Sequence, residues 1–285
     1  MPELPEVEMM CRGIAAAVNC RIEQIERPRS RLQSIVIAPE LPRFRRAAVG
    51  KSILGVRRLG KKVVLELDTG DCIVIEPRMT GLVMLGDPPD HEHLRLIFRL
   101  GGGQATQILF WDQRGLGVVR LLSREQFVHH YGPARLGPDA LIVSPHALCT
   151  RLGQSRRAIK VALLDQQVLA GIGNLYASEI LHLARIDPAA ACNTLQDADW
   201  SRLHAAMRKV LRAAIRHQGS TLRDGTYRIA RDKDGDYQLH HRVYQRAGET
   251  CRQCAAAQIV RIVQAQRSTF YCPECQRPCT SGRRR

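Results

Sequence analysis

The residues best placed to do chemistry stand at the front of the chain. Loss of Met1 leaves Pro2 first, and its secondary amine condenses with an aldehyde to a cationic iminium without first losing a proton. An α-amino group titrates near neutrality, with a reference pKa of about 8, so a usable unprotonated fraction exists at ordinary pH. Glu3 lies beside it as an acid or base. A second set of reactive groups closes the chain, where Cys251-x2-Cys254, seventeen residues and Cys272-x2-Cys275 have the spacing of a four-thiolate zinc site. Cys279 is a spare that could exchange with Cys275, although the paired spacing favours Cys275. Such a metal has no open coordination position, so one structural Zn2+ is expected and none for the chemistry. Cys11, Cys20, Cys72, Cys149 and Cys192 are scattered singly, as small buried hydrophobes are.

These groups need elements to hold them. Pro5 suits the first turn of a helix, Glu6 and Glu8 favour its positive end, and residues 9–18 are helix-compatible, so the amine is expected at a helix N-terminus. Read alone, the three glutamates could simply stabilise that turn. Short β-branched or alternating segments come next at 22–27, 34–37, 52–59, 62–67, 72–77, 82–85, 94–100, 107–111 and 117–122, which indicates an antiparallel sandwich or barrel. Beyond residues 126–145 the chain reads helical, at 159–169, 175–184 and 199–217, before the cysteine module. The fold class expected is α+β, with segments 1–130 (β-sandwich with an N-terminal helix), 131–245 (helical) and 246–285 (zinc finger hairpin and basic tail).

Composition limits the partners. The chain has 285 residues, 45% apolar and 25% charged, as in a soluble globular protein, and 43 basic against 27 acidic residues give a formal charge of +16. That excess predicts salt-sensitive attraction to a polyanion, nucleic acid before a membrane surface, since no basic amphipathic helix with a broad apolar face is evident. Neither a signal peptide nor an apolar run near 18 residues is evident, and a cytoplasmic location with reduced thiols is expected.

Three further stretches are suggestive. Lys61 shares strand parity with Val63, Leu65 and Leu67, an inward placement that a strand end open to solvent would also explain. In Gln167 to Glu179, Gly171 and Gly173 break one helix, and Asn174 can cap the next and leave backbone N–H groups for a phosphate, although a plain bundle corner has the same form. Residues 259–263 and 268–272 can pair as a hairpin whose tip, Gln264-Ala265-Gln266-Arg267, suits a nucleic-acid groove.

Pro2-Glu3-Leu4-Pro5-Glu6-Val7-Glu8 resembles the signature of the formamidopyrimidine-DNA glycosylase family, with Leu4 where the endonuclease VIII branch usually has Gly. The resemblance extends in order through Leu59-Gly60-Lys61-Lys62, the helix-two-turn-helix string ending in Glu179, and the finger sequence from Ala265 to Cys272. It implies a glycosylase with associated abasic-site lyase activity on damaged double-stranded DNA, working as a monomer in a bacterial cytosol. Pro2, Glu3, Lys61 and Arg267 would carry the chemistry. His91, Arg114, Asn174, Arg156 and Met79 would contact DNA, with Met79 and Arg114 filling the gap an extruded base leaves. The chain departs from the family pattern at Gln113 (usually Pro), Gly115 (Arg), Leu116 (Phe), Glu76 (His) and Gly225 (an aromatic), positions that bear on lesion range and the base opposite. An oxidised-pyrimidine glycosylase and a non-catalytic zinc-containing DNA-binding protein are the alternative readings.

Overall fold

The computed structural model describes residues 1–220 and 235–277, so the sequence features at residues 221–234 and 278–285, Gly225 and Cys279 among them, lie outside the described residues. The chain divides into two compact units, Met1–Arg135 with Ile215–Gln238, and Leu136–Ala214 with Leu239–Arg285.

The first unit opens with α1 (Leu4–Gly13), whose N-cap is Glu3 and whose second residue is Pro5. A proline is harmless there because first-turn N–H groups have no partner within the helix. Val7, Met10, Cys11 and Ile14, three or four apart, turn one face of the helix into the core. The chain continues through β1 (Arg21–Glu26), β2 (Val36–Ala38), α2 (Leu41–Ala48), β3 (Ile53–Leu59), β4 (Lys62–Leu67), β5 (Cys72–Glu76), β6 (Gly81–Met84), β7 (Leu94–Gly101), β8 (Gln107–Asp112), β9 (Val118–Leu122) and α3 (Arg124–Tyr131).

The strands form a four-stranded sheet, β1-β7-β8-β6, and a five-stranded sheet, β2-β9-β5-β4-β3. Val63, Leu65, Ile73, Ile75 and Val119 of the larger sheet share one core with Phe98, Ile108 and Phe110 of the smaller. The opposite face of the larger sheet is also covered, because Val64, Cys72, Val74 and Leu122 pack with Phe127 and Tyr131 of α3. Burial on both faces explains why residues 63–65 of β4 and 72–75 of β5 are consecutive apolar residues rather than alternating ones. The sandwich departs from the antiparallel expectation at one edge, where β2 pairs parallel with β9. The sequence reading marks neither α2 nor α3: α2 has a helical apolar stripe, Leu41, Phe44 and Ala48, within only eight residues, and α3 fully buries nothing. A usable signal for α3 is its capping box, Ser123 with Gln126.

In the second unit the helices are α4 (Pro145–Leu152), α5 (Ile159–Leu163), α6 (Asn174–Ala184) and α7 (Asp197–Arg216). The hairpin is β10 (Val260–Gln264) with β11 (Arg267–Tyr271). α5 is shorter than the expected 159–169 because Gln166 ties up the chain on either side of it. Its amide donates to the carbonyls of Leu164 and Ile172 and accepts from Gly171 N–H, stitching residues 164–172 into a turn. No helix among the described residues is long and apolar enough to cross a membrane.

Candidate active site and metal centre

In the first unit, Pro2 and Glu3 are buried just ahead of α1. Glu6 fixes them. One carboxylate oxygen accepts the Glu3 N–H at 2.9 Å and the other accepts the Ser220 N–H at 2.9 Å. A single side chain therefore ties the segment carrying the proline to the residue preceding 221–234. A Glu3-x-x-Glu6 capping-box spacing is the sequence signal for it, though the sequence reading treats Glu6 only as a first-turn acid. Lys61 stands not at the start of a strand but in the β3–β4 turn beside Gly60, whose φ is +57°, and it is half-buried. The lysine that enters the strand is Lys62, its ammonium 5.2 Å over the Tyr131 ring.

Met79 and Arg114 lie on two turns joined through Thr80. The Thr80 hydroxyl donates to Asp112 Oδ1 at 2.5 Å and accepts the Arg114 N–H at 3.0 Å. Asp112, fully buried, also accepts Gly117 N–H at 2.7 Å, and its carbonyl accepts from the buried Arg95 at 2.7 Å. The rigid base leaves Met79 38% exposed and Leu116 37% exposed, with Arg114 outward as well. Gly115 has a structural reason: its φ is +63°, and a Cβ there would lie 2.3 Å from the Gln33 carbonyl oxygen. No arginine fits this backbone without moving it. His91 is exposed on the loop before β7, adjacent to the Asp90–His93 contact of 2.9 Å.

The second unit collects cations and amides around α6. Asn174 does not cap α6; Gly173 does, and Asn174 is the first helical residue. Its amide instead donates to the Ser268 carbonyl at 2.9 Å, while its oxygen accepts from Lys160 Nζ at 2.6 Å. Lys160, wholly buried, also reaches the Ser268 carbonyl at 3.4 Å. This amine bridges α5, α6 and β11, a role that the local sequence does not reveal. Arg156 is exposed. Arg267 is exposed too, but on the first residue of β11, paired with Gln264. The turn itself is Ala265-Gln266, both with positive φ, at 46° and 60°. The expected four-residue tip is thus a two-residue hairpin turn with the arginine on its flank.

Below the hairpin, the sulfurs of Cys251, Cys254, Cys272 and Cys275 lie within 4.8 Å of one another. A tetrahedral zinc with bonds of about 2.3 Å separates its sulfurs by about 3.8 Å. Here Cys251 and Cys275 are 3.9 Å apart and Cys254 and Cys272 3.7 Å. Backbone N–H groups of Gln253 and Cys275 each reach a sulfur at 3.4 Å, a contact that favours thiolate over thiol. The donor set, with Cys275 as its fourth sulfur, fits one structural zinc. Buried His182 adds an Nε2 contact of 3.5 Å to Cys251. The finger is joined to α6 by Glu179, whose buried carboxylate accepts N–H groups from Arg242, Val243 and Tyr244 at 2.8–2.9 Å. Burial pushes this carboxyl up while the three amides and Arg242 pull it down.

With this geometry in place, the comparisons are consistent along the chain. Residues 1–119 match the formamidopyrimidine-DNA glycosylase N-terminal domain, 136–226 the H2TH domain of the same enzymes, and 248–278 the zinc finger found in FPG and IleRS. The formamidopyrimidine-DNA glycosylase of Chloroflexus aurantiacus is 39% identical, covering 97% of this chain and 98% of its own, and that of Chloroflexus aggregans is 38% identical with the same coverage. A Lactococcus lactis FPG mutant, solved in complex with Fapy-dG containing DNA, superposes with a TM-score of 0.85 at 31% identity over 97% of this chain and 100% of its own. MutM (FPG) of Thermus thermophilus gives 0.84 at 32% identity over 97% and 99%. Three domain matches in order along the chain, with relatives at 38–39% identity covered almost end to end, show that the chain belongs to the formamidopyrimidine-DNA glycosylase family.

Proposed function

We propose that the protein is a bifunctional DNA glycosylase and abasic-site lyase of base excision repair, acting on oxidised purines such as 8-oxoguanine and formamidopyrimidines in double-stranded DNA. The observation that carries the reading is Pro2-Glu3, held at the start of α1 by the two-sided Glu6 clamp. Once Met1 is removed, the Pro2 nitrogen attacks C1′ of the damaged nucleotide. The C1′–N bond breaks, and its electron pair leaves with the base, which takes up the proton that the Pro2 nitrogen loses. Glu3 donates a proton to the ring oxygen, which opens the sugar and gives an iminium between Pro2 and C1′. This cation acidifies the C2′–H bond. Loss of that proton expels the 3′-phosphate, and a second elimination expels the 5′-phosphate. Lys61 is assigned to the sugar and its phosphate, and Arg267 to the phosphates beside the extruded nucleotide.

The remaining assignments concern grip. Asn174, Arg156 and His91 contact the DNA backbone, and Met79 and Arg114 fill the space of the extruded base. Zinc supplies rigidity to the hairpin and takes no part in bond breaking. Segments 1–130, 131–245 and 246–285 are assigned the chemistry, the helical DNA footing and the finger, in a monomer acting in a bacterial cytosol. Incubation with an 8-oxoguanine duplex should leave a one-nucleotide gap with phosphate on both ends, and Pro2→Gly should abolish it. Intact duplex with the unsubstituted protein, across 8-oxoguanine, formamidopyrimidine and abasic substrates, would contradict the reading.

A further inference from the structure

Glu76 is the last residue of β5, directly before the turn that carries Met79. It is a buried carboxylate, 8% exposed, with cations on several sides. Oε1 accepts from Arg120 Nη1 at 2.6 Å and from the Tyr131 hydroxyl at 2.8 Å, and Arg120 also lies 3.3 Å from that hydroxyl. Oε2 pairs with Arg78 Nη2 at 3.1 Å. The neighbouring elements supply these groups: Arg120 sits on β9 opposite Val74, Tyr131 is the final residue of α3, and Lys62 comes from β4 over the Tyr131 ring. Burial holds the Lys62 ammonium below its usual range, with Arg78 and Arg120 acting the same way and Glu76 opposing them. Burial and the Glu76 charge push the Tyr131 phenol up, so it stays a donor.

This arrangement divides the carboxylate's work. Arg120 and Tyr131 fix the direction of Oε1, and Oε2 is thereby aimed at Arg78. Arg78 is a non-glycine residue at φ +56°, in the left-handed region that L-residues avoid. The turn around it is pinned at its far end by Gly81 N–H to Pro77 carbonyl at 2.9 Å and by the Thr80–Asp112 bond. Glu76 is the anchor at the near end. Between them Met79 stands out into solvent.

We propose that Glu76 is a positioning residue for base extrusion: by gripping Arg78 it holds the 77–80 turn in its strained form and presets Met79 as the wedge that enters the space of the departing base. The inference rests on the proposed role of Met79 as a gap-filling side chain. A histidine at this position would offer DNA a donor, whereas a carboxylate would repel phosphate; here its charge is absorbed inward and used for geometry.

The test uses the full-length, zinc-loaded protein and the variants Glu76→Gln, Arg78→Ala, their double and Tyr131→Phe. Duplexes carry 8-oxoguanine, or a pre-formed abasic site, with 2-aminopurine next to the target as a stacking reporter. Glu76→Gln should slow single-turnover excision of 8-oxoguanine by about tenfold and delay the 2-aminopurine signal equally. Borohydride trapping on abasic DNA, where no base has to be extruded, should stay within about twofold. Arg78→Ala should reproduce the excision defect and the double variant should be no worse than either single, because both remove one interaction. Tyr131→Phe, which removes a single hydroxyl, should give the same signature in weaker form. Multiplying defects in the double variant, equal losses on abasic and 8-oxoguanine DNA, or an unaltered 2-aminopurine signal in Glu76→Gln would overturn the proposal. Absence of trapping by the unsubstituted protein would instead remove the glycosylase reading beneath it.

Discussion

Gly115 shows at the scale of one residue how a departure from a family pattern can be a property of the backbone. Its positive φ and the Gln33 carbonyl 2.3 Å from a would-be Cβ make Gly115→Arg a strained substitution rather than a restoration. It should cost about 1–3 kcal/mol, read as a lower midpoint in urea unfolding. An unchanged midpoint would show that the turn relaxes freely. His241 offers a second residue-scale test. Burial, followed by Arg246 and Arg252, lowers its pKa from 6.5 to about 4, so the folded protein keeps it neutral where the unfolded chain binds a proton. Its contribution is therefore in place above about pH 6.5 and is lost as pH falls toward 4. Between pH 7 and pH 5 the loss should be about 2 kcal/mol, and His241→Phe should flatten that part of the stability profile relative to the parent. Equal slopes in parent and variant would contradict it. The reactive residues themselves are legible in sequence because their signals are local: Pro2 beside Glu3, or cysteines with two residues between them. What a carboxylate such as Glu76 touches is not, since Arg120 and Tyr131 are 44 and 55 residues away.

At the scale of elements, the same distinction holds. β4 is readable to the residue because it is a strong apolar run between turns, and α6 because glycines precede it. α2 is missed for another reason: Leu41, Phe44 and Ala48 do fall at helical spacing, but the stripe spans only eight residues between two strands and is easily passed over. Asn174 is readable as a helix-start residue but not as a bridge, because the Ser268 carbonyl it bonds is 94 positions away. That bridge makes the hairpin and α6 interdependent: Ser268 receives Asn174 and Lys160, Glu179 receives three amides ahead of the finger, and Gln276 donates to the Ile186 carbonyl at 2.9 Å. Removing zinc with a chelator should therefore do more than unfold the finger. Amide exchange should accelerate in β10, β11 and the first turn of α6, while β4 and β5 of the other unit keep their protection. Exchange confined to residues 248–277 would show that the Lys160–Asn174–Ser268 bridge does not transmit the loss.

Across the whole molecule, the two units carry unlike properties. The first holds Pro2, the Glu3–Glu6 capping box and exposed Met79, Arg114 and Leu116. The second holds buried polar bridges and a metal-stiffened hairpin presenting Arg267. The excess of 43 basic over 27 acidic residues serves both, by drawing in a polyanion before any specific contact forms. Fold class is legible at this scale because composition and element type change once along the chain. The return of residues 215–238 to the first unit is not, since nothing local marks where α7 passes from one unit to the other. The central claim is that all this apparatus serves the nitrogen of Pro2. Its most direct test is borohydride reduction during turnover of an 8-oxoguanine duplex, with proteolysis and mass spectrometry of the linked peptide. The account predicts a chain lacking Met1 with the deoxyribose remnant on Pro2, and no adduct from Pro2→Gly although that variant still shifts the duplex in a gel. An adduct mapped to Lys61, Lys62 or any other lysine, or a retained Met1 in the linked peptide, would contradict it.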